Sequence, residues 1–303
     1  MTAILYDYDG GDEARRKLLF RGELLVYSPT SSSLALVEFA RELIREAFGA
    51  LDPRDAQHSM PVEDYVAILS RLKPMFINHP TSKDLVRGIL SELGCDPRET
   101  FFDVPRMRTA TSDGYLTSGI AYAFHPHRDT WYGAPASQVN WWMPIYEVEP
   151  GNVMAFHPQY WDRPIGNESS EFDYYEYVQT ARKDAAKHVK ADTRKQPHPT
   201  EPVEPNPQLR VITRAGGLLL FSGAHLHSTV PNTSGRTRFS IDFRTVHLDD
   251  IAGMKGAPNV DSACTGTALR DFLRASDLAR IPEKLVLPYE TAAAIHPELD
   301  EVH

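Results

Sequence analysis

From about residue 101 onward the chain breaks into short segments rich in β-branched and aromatic residues, with Gly, Pro, Asn or Asp between them. They read FFDVPRMRTA, GIAYAFHPHRD, SQVNWWMPIYEV, NVMAFHP, LRVITRAGGLLLFSG and TRFSIDFRTVHL. Runs of this length and composition, bounded by turn formers, are strand signals. Several such strands in succession, with no helical pattern between them, call for an antiparallel sandwich, barrel or jelly roll.

The first hundred residues have a different texture and are expected to be mostly helical. SSSLALVEFARELIREAFGAL opens on serines suited to an N-cap, and Leu36, Phe39, Ala40, Leu43 and Ala47 recur at helical spacing. MPVEDYVAILSRLKP repeats the pattern with Pro74 at its expected end, and TSKDLVRGILSELG has a Thr or Ser cap and a terminal Gly94. Residues 101–250 are expected to form the β core, interrupted at about 159–209 by a polar, proline-rich insertion with a helix near 174–188. A long inserted segment that carries FDYYEYV between two strands is expected to form a lid or wall over a pocket. Residues 251–303 are expected to be a helical tail, with TALRDFLRASDLAR as its helix, and the whole of 1–303 to be one domain.

Composition narrows the function. The formal charge of -9 argues against nucleic acid or an anionic membrane as partner. No run approaches the roughly 18 apolar residues that a membrane-spanning helix needs. The N-terminus turns acidic at once and lacks the marks of a signal peptide. The two cysteines, Cys95 and Cys264, form neither a disulfide framework nor a metal-type pair, so a reducing, cytoplasmic setting is expected.

The stretch AFHPHRDTWYG concentrates the chemistry. His125, His127 and Asp129 sit two apart, which on a strand aims them to one face. Such a face is either an ordinary polar patch or part of a metal site. A second pair, His225 and His227, follows the apolar run LLLFSGA, and the next strand carries Arg238 and Ser240 two apart. His127, Asp129 and a downstream histidine make a two-histidine, one-carboxylate set, which suits ferrous iron and leaves coordination positions open. An arginine and a hydroxyl aimed into a β interior call for a carboxylate, and a guanidinium fork matches one in bidentate geometry. A co-substrate that chelates iron at one end and carries a carboxylate at the other has the shape required, and 2-oxoglutarate is such a molecule. Asp242 is the nearest intramolecular alternative for Arg238.

These residues resemble the iron(II)- and 2-oxoglutarate-dependent oxygenases, in particular the phytanoyl-CoA hydroxylase-like branch. HRD at 127–129 looks like the H-x-D of that family, and HSTVPNTSGRTR at 227–238 is similar to its distal segment, with RFS at 238–240 matching R-x-S. The resemblance spans roughly residues 104–244. It implies a double-stranded β-helix, a jelly roll of the cupin-like barrel kind, with flanking helices. It implies iron(II) on His127, Asp129 and His227, 2-oxoglutarate on Arg238 with help from Ser240, and O2 as oxidant. Asn140, on the strand SQVNWWMP, is a further co-substrate contact on this reading. Trp131, Tyr132 and His225 are candidate substrate contacts. The retained Asp129 points to hydroxylation, desaturation or cyclisation, since halogenating relatives carry Ala or Gly there. No basic run stands out to grip a coenzyme A tail, so a small polar metabolite of amino-acid or natural-product metabolism is the expected substrate.

Other readings stand beside this one. His225 competes with His227 for the metal, and the spacing to Asn232 and Arg238 favours His227. A cupin-type site would need a glutamate soon after its H-x-H, and HPHRDTWYGA has none. His157 reads as a packed or surface histidine. From another class, a non-catalytic jelly-roll sensor or binding protein could use the same metal ligands.

Overall fold

The computed structural model describes residues 2–116, 125–180 and 196–290. Two sheets lie face to face. The larger has eight strands: β1 (Ile4–Tyr6), β2 (Leu24–Tyr27), β3 (Thr100–Phe102), β4 (Arg106–Ala110), β5 (Val139–Pro144), β8 (Leu218–Ser222), β10 (Arg238–His247) and β11 (Leu273–Arg274). Its order is β1-β2-β8-β5-β10-β3-β11, with β4 also paired to β10. The smaller holds β6 (Met154–Phe156), β7 (Leu209–Arg210) and β9 (His227–Thr229) in the order β7-β6-β9. This is the mainly β architecture with flanking helices that the strand pattern called for.

The period of two along β10 explains the layering. Phe239, Ile241 and Phe243 point outward, where they join Trp141, Met143 and Leu220 against the helices. The covering helices are α2 (Ser31–Phe48), α3 (Val62–Asn78) and α4 (Pro80–Glu92), which bury Leu36, Ile44, Leu69, Phe76 and Ile89 in that layer. Each such side chain stabilises the layer by about 1.5–3 kcal/mol. On the inner face Trp142, Leu219 and Phe221 meet Met154 and Phe156 of the smaller sheet. The alternate β10 residues Arg238, Ser240, Asp242 and Arg244 share that inner face, and they carry the polar chemistry.

The N-terminal region is mostly helical, as expected, but not wholly so. It has a short helix, α1 (Gly11–Leu19), and it also supplies two strands of the main sheet. All four residues of β2 are buried between β1 and β8, because Leu25 and Tyr27 reach the helix layer while Leu24 and Val26 reach the inner one. At α2 the cap is Thr30, which exchanges side-chain bonds with Ser33 as a capping box. Pro74 does not end α3. The helix runs through it to Asn78, held by the buried Phe76.

The tail also differs. Residues 267–280 are not a helix: a 3-10 turn at Ala268–Asp271 leads into β11, which pairs with β3. Leu269 and Phe272 pack there against Phe101, Ile251 and Ile281, and the open edge of β3 captures the backbone that a helix would have used. Two short helices lie nearby, α6 (Leu248–Ala252) and α7 (Glu283–Val286). The insertion's helix begins as read, as α5 (Tyr174–Gln179), with Asp173 accepting from the amides of Tyr175 and Glu176. Its expected continuation, most of the strand GIAYAFHPHRD and the acidic C-terminal end lie outside the described residues.

Candidate metal centre

His127, Asp129 and His227 converge. One ligand atom from each lies within 4.8 Å of the others, and all three residues are buried. His127 Nε2 is 3.5 Å and His227 Nε2 3.9 Å from Asp129 Oδ1. The strand expectation holds for only half of the H-x-D pair. His127 makes a single antiparallel bridge to His227, each amide donating to the other's carbonyl at 2.9 and 3.0 Å. Asp129 instead opens a 3-10 turn that runs to Tyr132, and its amide donates to the Gly223 carbonyl.

Both imidazoles are set by one device. The Nδ1–H of His127 donates to the His125 carbonyl at 2.8 Å, and that of His227 to the His225 carbonyl at 2.9 Å. Each Nε2 lone pair is thereby turned toward Asp129, which is the arrangement a metal-binding histidine requires. Burial, and then the neighbouring His127, push His227 down to about 4, so it is a neutral donor at neutral pH. Burial pushes the Asp129 carboxyl up, but its contact with His127 and the positive charge of Arg244 outweigh it and hold the group well below the usual range. Asp129 Oδ2 also accepts from Asn140 Nδ2 at 2.7 Å and Gln138 Nε2 at 3.0 Å, with Arg244 Nε 3.9 Å away. A charged carboxylate and two neutral imidazoles on one side form a fitting donor set for a divalent iron.

Asn140 therefore spends its amide on Asp129 and is a support for the ligand carboxylate. Gln138 does the same and was missed, although it lies two residues from Asn140 and so shares its face. Trp131 is not a substrate contact. It is fully buried among Tyr160, Ile165 and Leu226, and its indole N–H donates to Asp261 at 2.7 Å. Tyr132 does lie at the site, edge-on to the His127 ring with centroids 5.5 Å apart. His225 turns away from the metal ligands onto Trp161, 4.5 Å between centroids, and burial pushes it down to about 3. His157 is packed, as read, beside Ser228. The insertion reaches the site: His198 stacks on His125 at 3.9 Å, the Pro197 carbonyl lies within 2.8 Å of His125 Nε2, and Phe172 packs on Tyr132.

Arg128, between the two ligands in sequence, points the opposite way. Its guanidinium donates to Asp261 at 3.0 Å and to the carbonyls of Ala224, Tyr160 and Arg163, and the side chain is 1% exposed. Asp261 also accepts from the Ile165 amide, so this buried pair ties the ligand turn to the insertion and the C-terminal segment.

Further along the inner face, Arg238 is buried beside the Trp142 ring and donates to the Asn152 carbonyl at 3.0 Å. Its Nε and the Ser240 hydroxyl, both buried, have no hydrogen-bond partner among the described residues. Asp242 does not pair with Arg238: it accepts from Arg108 at 2.6 and 3.3 Å. Burial, only partly offset by Asp242, pushes Arg238 down to about 10. A buried guanidinium and hydroxyl with unused donors is a cradle for a carboxylate.

No family model matches the chain, and no curated protein matches it. Among solved structures it is similar to EvdO2 from Micromonospora carbonacea var. aurantiaca complexed with 2-oxoglutarate, at 13% identity over 79% of this chain and 93% of that one, TM-score 0.43. It is similar to the epimerase SnoN in complex with Fe3+, alpha ketoglutarate and nogalamycin RO, at 16% identity over 82% and 96%, TM-score 0.39. It is also similar to the non-heme monooxygenase ThoJ, at 12% identity over 73% and 71%, TM-score 0.37. At such scores the likeness carries no functional weight, which rests on the side chains themselves.

Proposed function

We propose that the protein is a non-haem iron(II)- and 2-oxoglutarate-dependent oxygenase acting on a small polar metabolite. One observation carries this reading: a two-histidine, one-carboxylate cluster shares an interior with Arg238 and Ser240, whose buried Nε and hydroxyl have no partner among the described residues. His127, Asp129 and His227 would hold the iron, and Arg238 with Ser240 would hold the distal carboxylate of 2-oxoglutarate. Iron with 2-oxoglutarate and O2 supplies an oxidant strong enough for an unactivated C–H bond. The balanced reaction converts R–H, 2-oxoglutarate and O2 to R–OH, succinate and carbon dioxide.

The chain's own work is positional. Asn140, Gln138 and Arg244 keep Asp129 charged and fixed, and the two carbonyl-bonded imidazoles keep their lone pairs aimed. Tyr132, Phe172 and the Pro197–His198 segment form a wall on the histidine side, which limits water at the reacting centre. Reduced iron and a cytoplasmic setting go together in this reading.

The test is succinate formation from 2-oxoglutarate with ferrous iron, run aerobically and anaerobically, alongside Arg238→Ala. Loss of a buried charge-assisted contact costs about 2–5 kcal/mol. The dissociation constant for 2-oxoglutarate should therefore rise roughly 30- to several-thousand-fold with metal affinity intact. Arg238→Lys should recover part of it. Unchanged 2-oxoglutarate binding in Arg238→Ala would refute the co-substrate role. Binding of both metal and 2-oxoglutarate without succinate would indicate a sensor instead.

A further inference from the structure

The two metal-ligand histidines are built alike. HPH at 125–127 and HLH at 225–227 each place a second histidine two residues before the ligand. In each, the carbonyl of that second histidine accepts from the ligand's Nδ1, at 2.8 Å for His127 and 2.9 Å for His227. The aim of each Nε2 therefore depends on where His125 and His225 sit. Both lie just outside a strand: His125 precedes the bridge at His127, and His225 is in the turn between β8 and β9. The packing of their rings helps to fix those carbonyls.

Each second histidine is covered by a ring from the insertion. His198 stacks on His125 with centroids 3.9 Å apart and planes at 25°. Trp161 leans on the buried His225 at 4.5 Å and 45°. Trp161 is itself backed by Gly22, which has φ 89°, and a Cβ there would lie 2.7 Å from the indole. Arg128 donates to the carbonyls of Tyr160 and Ala224, the residues just before Trp161 and His225, and so holds those two segments together. The covering rings also belong to one unit. The Glu168 amide donates to the His198 carbonyl at 3.0 Å, the Thr200 amide to the Gly166 carbonyl at 2.8 Å, and the Glu204 amide to the Tyr160 hydroxyl at 2.9 Å. These bonds cross-tie the two ends of the insertion.

We propose that the insertion is a two-ended clamp on the metal centre, with Trp161 and His198 as positioning residues. Pressed on His225 and His125, they hold the two orienting carbonyls in place and so keep both ligand imidazoles aimed. Each acts through a histidine that is not itself a ligand. The inference rests on the metal-centre reading and adds a control on metal affinity to that site. Docking of the insertion and occupation of the site are thereby coupled, so whatever displaces Trp161 or His198 loosens the ion.

The test titrates the full chain with cobalt(II) and follows both the affinity and the visible absorption of the bound ion. Trp161→Ala and His198→Ala should each weaken binding about tenfold or more and shift the visible bands, as loss of a group that orients a metal ligand does. Trp161→Phe and His198→Phe keep a ring to stack and should recover most of the loss. Leu36→Ala opens a cavity in the helix layer and should lower stability while leaving cobalt affinity and bands as in the wild type. His198 is exposed, so His198→Ala is expected to fold and decides the matter if Trp161→Ala does not. Alanine variants that bind cobalt like the wild type, or that lose no more affinity than Leu36→Ala, overturn the proposal. A loss at one position alone overturns the two-ended clamp. Failure of the wild type to bind cobalt would instead sink the metal-centre reading. Cobalt binding needs neither 2-oxoglutarate nor turnover, so failure of the clamp is distinct from failure of the oxygenase reading.

Discussion

Asp261→Ala tests how the ligand turn is anchored. The carboxylate serves three donors: Arg128 Nε at 3.0 Å, the Trp131 indole at 2.7 Å and the Ile165 amide at 3.1 Å. Arg128 and Asp261 are 1% and 4% exposed, so the substitution strands a buried guanidinium with carbonyls only. Breaking a buried pair from one side costs about 3–5 kcal/mol, and an orphaned indole N–H adds about 1–3. Because one carboxylate supplies both, the losses overlap, and about 4–6 kcal/mol is expected. That is a large share of the roughly 5–15 kcal/mol that holds a typical native state. Asp261→Asn keeps an acceptor for the indole and should cost about half as much. The control is Asp55→Ala. Its pair with Arg236 is 3.1 Å long but 43% and 53% exposed, so its loss should cost under about 1 kcal/mol. Urea unfolding of the three variants gives the ranking. Cobalt(II) titration should show metal affinity reduced about 10- to 100-fold in Asp261→Ala, as for other groups that orient metal ligands. If Asp261→Ala comes within about 1 kcal/mol of Asp55→Ala, the three carbonyls alone satisfy Arg128 and the anchoring argument is wrong.

Three further outcomes are expected. Metal-free protein should lose stability as pH falls from about 6.5 toward 4. Burial keeps His225 and His227 neutral in the fold, at about 3 and about 4, while the unfolded chain takes up their protons. The slope should reach about 1.4 kcal/mol per pH unit for each group, and urea melts at pH 7, 6 and 5 that coincide would contradict it. Asn140→Leu, which removes the 2.7 Å bond to Asp129, should weaken cobalt(II) binding about tenfold or more, and unchanged affinity would show that Gln138 suffices. Gly256→Ala should destabilise by about 1–3 kcal/mol, since a Cβ there would lie 2.3 Å from the Ala136 carbonyl carbon. A wild-type melting temperature would mean that this loop shifts freely.

What the sequence disclosed follows from the range of its patterns. Strand texture and period-two spacing exposed β4, β5, β8 and β10, and with them the face that carries Arg238 and Ser240. The distal segment singled out His227 over His225. Local pattern failed where partners are far apart. Nothing near Arg128 announces Asp261, which lies 133 residues on. Trp131 was read as a substrate contact because it follows a ligand pair, whereas the 3-10 turn swings it into the core. PRMRT already places Arg106 and Arg108 two apart, but the face they share with Asp242 and Arg244 arises only from the β4–β10 register. The strand β2 and the extended tail went unread because both owe their form to the sheet neighbours that receive them.

The two imidazoles and the carboxylate belong to different halves of the sandwich. His227 lies on β9, and His127 bridges to it, at the edge of the smaller sheet. Asp129 is bonded to Gln138 and Asn140 and adjoins Arg244, on the β5–β10 side of the larger. An ion seated there is a clasp across the gap. Its removal should let the two sheets loosen where His227 and Asp129 face each other. Amide exchange around His227 and Asn140 should then quicken together on chelation and slow together on reloading.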